Sequence, residues 1–278
     1  MGRRHDNQLG KRGMLDFDSI DDWAPDLGRT LRDVVPAATR QSIAARKSEF
    51  IEGARDVLLS KVDRQTLVAA VLGWIRGAGV RAYHGTRLTE SEIESIRDHG
   101  LRPLVAEQRR QRLERALSPH PQWPSVQGRL QAALEAYGGV GKSGDREGQV
   151  HLTLSRAGLT KGFSHYLTHG SEFDQHVAHD LLGASGVALL AQDGKPVVVA
   201  VDVPGPIALE GAHRHLSVEQ MISRGDLPNL VREFLGDWAF RLAVPTHQSS
   251  ARKLDCGIWF RDAVPADWIA SVEMQRSA

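Results

Sequence analysis

The apolar period of this chain changes once, near residue 80, and that change limits what it can fold into. From Asp16 to Gly77 apolar residues recur at three and four positions. Phe50-Ile51, Ala54 and Val57-Leu58 form one stripe, and Leu67, Val71 and Trp74-Ile75 another. Helix punctuation agrees with the spacing: Asp18 and Ser19 can cap a first helix, Pro36 fits the start of a second, Asp63 can cap a third and Gly77 stops it. Beyond that point the segments Val80-Arg81-Ala82-Tyr83, Gln149 to Leu154, Pro196 to Val203, Gly257 to Phe260 and Ile269 to Met274 read as strands, with helical patterns between them. Strands mixed with helices, without a regular βαβ alternation, predict an α+β fold. The expected organisation is a mobile tail over 1–15, a helical module over 16–79, and a domain over 80–278. That domain carries an Arg-rich helical insertion over 105–146.

Composition narrows the function classes. With 278 residues the chain can bury a core without staples, and its single cysteine, Cys256, excludes a disulfide framework or a multi-cysteine metal site. Lys plus Arg number 35 against 34 for Asp plus Glu, a balance that disfavours a general polyanion binder. No apolar run approaches the roughly 18 residues of a membrane span. Met1-Gly2-Arg3-Arg4-His5-Asp6 lacks the apolar stretch of a secretion signal. A cytoplasmic protein with no membrane partner is the expectation.

The most informative segment is Tyr83-His84-Gly85-Thr86-Arg87-Leu88-Thr89. It is followed by a helix opened by the capping box Thr89-Glu90-Ser91-Glu92, and then by Gly100-Leu101-Arg102-Pro103. A strand ending at His84-Gly85-Thr86, with a helix behind it, resembles the first motif of the ADP-ribosyltransferases of the diphtheria-toxin and poly(ADP-ribose) polymerase type. The order of parts continues downstream. The strand Val150 to Ser155 and then Lys161-Gly162-Phe163-Ser164-His165-Tyr166 look like the second motif, a strand followed by a helix that presents a tyrosine. Asp255-Cys256-Gly257-Ile258-Trp259-Phe260 falls where that family sets its catalytic glutamate at the head of a strand. The resemblance covers about residues 80 to 278 and implies a split β-sandwich with helices. It also implies NAD as substrate, release of nicotinamide, and transfer of ADP-ribose to a macromolecular acceptor, protein or nucleic acid. Bacterial members of the family lead one to expect a toxin or defence role.

The residue types suit that chemistry. Breaking the bond between nicotinamide and ribose passes through an oxocarbenium-like transition state, as in glycoside hydrolysis. His84 offers a donor and an acceptor for a ribose hydroxyl, and Gly85 allows close approach of backbone to the nicotinamide amide. Tyr166 offers a face for stacking, and Arg102 a charge for the pyrophosphate. Asp255 would stabilise the developing cation. The resemblance makes Asp255, His84 and Tyr166 the catalytic set, and His84, Gly85, Thr86, Arg102, His151, Ser155, Ser164 and Tyr166 the NAD-binding set. Asp255 stands where the family usually has glutamate, which favours single transfer over polymer formation; Glu172 is the nearest substitute carboxylate. An RNA 2′-phosphotransferase-like enzyme of the same fold shares the His-Gly-Thr motif and is the alternative enzyme. A catalytically silent module that binds NAD or ADP-ribose is the non-enzymatic one.

Three other features carry less. His165, His169, His176 and His179 cluster around Glu172 and Asp174 but lack the H-E-x-x-H pattern, so no metal is expected. Gly138-Gly139-Val140-Gly141-Lys142-Ser143 has Ala136 where a phosphate loop needs its first glycine. Arg109, Arg110, Arg112 and Arg115, interleaved with Glu107 and Glu114, read as a solvated helix face.

Overall fold

The computed structural model describes residues 13–46, 48–103, 105–138, 148–254 and 256–275. Its elements run β1 (Met14–Asp16), α1 (Ile20–Thr30), α2 (Ala37–Ala44), α3 (Ile51–Lys61), α4 (Arg64–Arg76), β2 (Gly79–Leu88) and α5 (Glu90–His99). There follow α6 (Ala106–Leu117), α7 (Trp123–Val126), α8 (Leu130–Tyr137), β3 (Val150–Thr153), α9 (His165–His169) and α10 (Glu172–Leu190). The chain ends with β4 (Lys195–Pro204), α11 (Gly205–Gly211), α12 (Val218–Ser223), α13 (Asn229–Ala243), β5 (Gly257–Phe260) and β6 (Ile269–Met274). Helix and sheet are mixed, as the α+β pattern requires. The strands form one sheet in the order β5-β3-β2-β4-β6, with β1 added on β2.

The chain divides into two compact units. The first comprises residues 1–82, 153–158 and 202–258. The N-terminal helices thus share a unit with residues that lie far beyond the boundary at 79. The reason is α13, whose Leu230, Val231, Phe234, Leu235 and Trp238 are buried and which packs on α1, α2, α3 and α4. Phe17, Trp23, Trp74 and Phe234 meet in stacked, tilted and edge-on pairs with centroids 5.0 to 6.2 Å apart. Such contacts add to an already large apolar burial. Met14 and Leu15, expected within a mobile tail, belong with Asp16 to a strand that pairs in parallel with Gly79–Arg81. Leu15 and Phe17 alternate inward there, which anchors the segment. A charged network lies inside this unit. The fully buried Asp237 accepts from His247 Nε2 at 2.6 Å and from Arg252, and Arg252 also donates to Glu233 at 2.9 Å.

The second unit comprises residues 83–152, 159–201 and 259–278. Strands β4 and β6 pair antiparallel, from Val197 with Met274 to Val201 with Ile269, with an irregularity at Ala200. The expected insertion is no appendage. Its α6, α7 and α8 pack on α10 around Leu113, Leu117, Leu130, Phe173, Val177 and Leu181. The solvated arginine face expected on α6 is corrected by this packing. Arg109 is buried, donates to Asp174 at 2.9 Å and lies 4.3 Å over the Phe173 ring. Arg112 donates to the Arg87 carbonyl at 2.8 Å, and Arg115 pairs with Asp193 at 2.9 Å. Arg110, with Glu114 one turn on, and Arg115 stay exposed and ion-paired as expected. Helix α10 runs to Leu190 across a break at Gly183, whose φ of 62° suits a residue without a side chain. The glycine-rich loop lies outside the described residues except for Gly138 and Gly148.

Candidate functional site

The His84-Gly85-Thr86 motif sits inside a strand, not at its end, because β2 continues to Leu88. Alternation along a strand then sorts the side chains. Tyr83, Gly85 and Arg87 are buried on one face, while His84 and Thr86 on the other are half-buried. A Cβ on Gly85 would stand 3.0 Å from Leu159 and 3.4 Å from Leu167. The missing side chain therefore makes room for the chain's own Leu159 and Leu167, which pack in one cluster with Tyr83 of β2 and Val198 and Ala200 of β4. Tyr166, half-buried, packs against the same cluster.

Arg87 fixes this arrangement. Its guanidinium donates to three carbonyls: Asp193 at 3.2 Å, Leu167 at 3.1 Å and Gly194 at 2.6 Å. The second of these ties the residue after Tyr166 to β2, so Arg87 positions the helix that carries the tyrosine. Sequence reasoning passed over it. The available signal was an arginine with the same strand parity as Tyr83 and Gly85.

His84 is held by β3. Its Nδ1 lies 2.7 Å from the His151 carbonyl, which can only accept, so Nδ1 carries the proton and Nε2 is left as an acceptor. Burial pushes the imidazole pKa below the ordinary histidine value, and the nearby Arg112 cation acts in the same direction, against the opposing His151 bond. His84 is thus neutral at pH 7 with an acceptor nitrogen. The His151 ring meets Trp259 edge-on at 5.5 Å, while its carbonyl serves His84.

Around Tyr166 the side chains are polar. His165 lies against the tyrosine ring with centroids 4.2 Å apart, and its Nε2 is 3.2 Å from a Glu172 carboxylate oxygen. Glu172, weighed as a substitute carboxylate, stands beside the tyrosine through that pair. His176 stacks on Tyr137 at 5.5 Å.

The remaining expected site residues are used otherwise. Ser155 is fully buried; it donates to Asp18 at 2.7 Å and accepts from the Gly158 amide at 3.0 Å. Ser164 is exposed at the start of α9, where its carbonyl accepts from Leu167 and Thr168. Arg102 is exposed, next to Leu101, which bridges to Val264. Thr86 makes only a long 3.5 Å contact to the Arg87 carbonyl. Asp255 lies outside the described residues. The structure therefore gathers His84 with His151, and Gly85 with the tyrosine-bearing α9. It does not draw Arg102 or Ser164 into either set.

No protein-family model, curated protein or solved structure matches this chain.

Proposed function

We propose that the chain is a NAD-dependent ADP-ribosyltransferase that transfers a single ADP-ribose to a macromolecular acceptor, on a split β-sandwich of the kind its motifs resemble. The observation that carries this reading is the state of His84. A neutral imidazole anchored through Nδ1–H offers Nε2 to a ribose hydroxyl, as a group that orients an uncharged sugar must. Arg112, close enough to act on His84, brings a cation that suits the pyrophosphate, in place of the exposed Arg102. Tyr166, packed on the Gly85 face of β2 rather than the His84 face, is the ring that the resemblance assigns to nicotinamide, and Arg87 fixes its helix.

The reaction follows from these parts. The bond from ribose C1′ to the nicotinamide nitrogen breaks, and its electron pair leaves with nicotinamide. The positive charge left on the ribose is stabilised by a carboxylate, Asp255 or Glu172. The acceptor nucleophile then attacks C1′ and passes its proton to that carboxylate.

Release of nicotinamide from NAD by the purified protein tests the reading. We expect His84→Ala and Tyr166→Ala each to reduce release by about a hundredfold or more, the scale on which misplaced reacting groups cost rate. Loss in Asp255→Asn with retention in Glu172→Gln assigns the carboxylate to Asp255, and the reverse result to Glu172. Absence of nicotinamide release by the wild-type protein, or rates unchanged in both the His84 and Tyr166 variants, overturns the reading.

A further inference from the structure

The unit that holds α1 to α4 contains a cavity of about 440 Å³, walled by α3, the start of α4, the segment from His213 through α12, and the start of α13. That volume lies in the range of small-ligand sites. Its charged lining is Arg55, Arg64, Arg232 and His213, with Asp56 and Asp226.

The guanidiniums there keep N–H donors that the protein's own acceptors do not fill. Arg64 donates through one nitrogen to the Gly225 carbonyl, an uncharged partner. Arg232 donates through Nε to Glu233 at 2.9 Å, but the other oxygen of that carboxylate is taken by Arg252. Arg252 also holds Asp237, so Arg232 keeps one Glu233 oxygen as its partner and its terminal nitrogens remain to donate. Arg55 reaches Asp56 only at 3.6 Å, while the Asp56 side chain is 69% exposed and well solvated. A guanidinium has five N–H donors, so each of these groups is anchored at one edge with donors to spare.

Two further features carry the same sign. His213 Nδ1 accepts from the backbone amides of His215 at 3.1 Å and Leu216 at 3.0 Å. The ring proton therefore sits on Nε2, which is a donor. Helix α13 begins after Pro228 with no side chain capping its first turn. The positive end of its dipole is left to whatever occupies the cavity. Asn229, the first residue of the helix, donates its amide nitrogen to the Ala212 carbonyl at 2.6 Å.

We propose that this cavity binds a small polyhydroxylated phosphate ester. Arg55, Arg64 and Arg232 take the phosphate, with His213 as a further donor, while the carboxylates of Asp56 and Asp226 accept from sugar hydroxyls. Planar, multidentate guanidinium donors match phosphate oxygens. Ionised carboxylates only accept, which suits hydroxyls and rejects a bare polyanion. The assignment is independent of any role for His84 and Tyr166.

Calorimetric titration of the full chain with ribose 5-phosphate tests it, with ribose, inorganic phosphate and adenosine monophosphate as parallel arms. Saturable binding of ribose 5-phosphate is expected, weakened about tenfold or more in Arg64→Gln and in Arg55→Gln, as loss of a charged hydrogen bond implies. Ribose should give no saturable heat, and inorganic phosphate should bind more weakly than its ester. Both variants should keep the wild-type circular dichroism and rate of nicotinamide release. The component of binding that Arg64→Gln removes decides the source: stronger for adenosine monophosphate, a nucleotide; stronger for ribose 5-phosphate, a sugar phosphate. No saturable binding of either ester by the wild-type protein, or equal affinity in wild type and both folded variants, overturns the proposal.

Discussion

A histidine that orients a sugar hydroxyl through an acceptor nitrogen has to stay uncharged, and the surroundings of His84 enforce this by burial and by the Arg112 cation. The sign of the shift sets its pH behaviour. As pH falls, the unfolded chain takes up the His84 proton near the ordinary value of 6.5, whereas the folded chain resists until lower pH. Stability from this group is therefore present above pH 6.5 and is lost as pH falls from 6.5 through the folded-state pKa. Urea unfolding of the wild type and of His84→Gln, at neutral pH and under mildly acidic conditions, reads this directly. The wild type should lose ground against the variant on acidification. A gain instead would mean that the folded chain favours the imidazolium, contrary to the acceptor role. Nicotinamide release should likewise persist through the normal histidine range before it falls. Arg112→Gln, which removes one of the causes that depress the pKa, should move that fall to higher pH.

At the scale of elements, α5 shows how two ends of one helix differ in cost. At its start Thr89 accepts from the Glu92 amide at 3.3 Å, and Glu92 accepts from the Thr89 amide at 2.7 Å. Thr89→Ala should cost about 1 kcal/mol, the usual worth of a cap. At its end Gly100 holds φ at 78°, and a Cβ there would lie 1.9 Å from the Val264 carbonyl oxygen, which accepts from Leu101. Gly100→Ala must therefore strain its own backbone and displace the bridge from Leu101 to Val264. We expect it to cost about 3 kcal/mol or more, above the roughly 1 kcal/mol of a strained φ alone. Denaturant midpoints compared with wild type check the order, and equal losses would contradict it.

Both ends of α5 were legible in the sequence, because a capping box and a terminal glycine are local signals. So were the strand cores of β4, β5 and β6. What escaped depends on partners distant in sequence. The arginines of α6 look solvated until α10 brings Asp174 and Phe173 to Arg109. The burial of Asp237 likewise depends on Arg252 and His247, which lie 15 and 10 residues further along the chain. For the site, the residue types at His84, His151 and Tyr166 were legible. The tether through Arg87 was not, since nothing local shows which carbonyls a strand arginine will meet.

For the whole molecule, the decisive element is α13. The sequence changes period near residue 80, and a boundary there suggests that residues 80–278 fold alone. The burial of α13 argues against it. Phe234 is fully buried, and its edge-on partners Phe17, Trp23 and Trp74 all precede residue 80. Gly236 comes within 3.0 Å of Ile51, measured from a Cβ placed on the glycine, so α13 lies hard against α3. Removing residues 1–79 strips three large aromatics from one cluster. At about 3 to 5 kcal/mol for each aromatic lost from a core, that loss rivals the whole stability of a domain, about 5 to 15 kcal/mol. It would also bare the apolar face of α13 to solvent. A chain starting at residue 80 should therefore aggregate or show no cooperative thermal transition, whereas the full chain unfolds cooperatively. Coexpression of residues 1–79 as a separate polypeptide should restore a soluble, cooperative complex, because the missing surface is supplied in trans. A soluble 80–278 fragment that melts cooperatively by itself would show that α13 can satisfy its apolar face without the N-terminal helices.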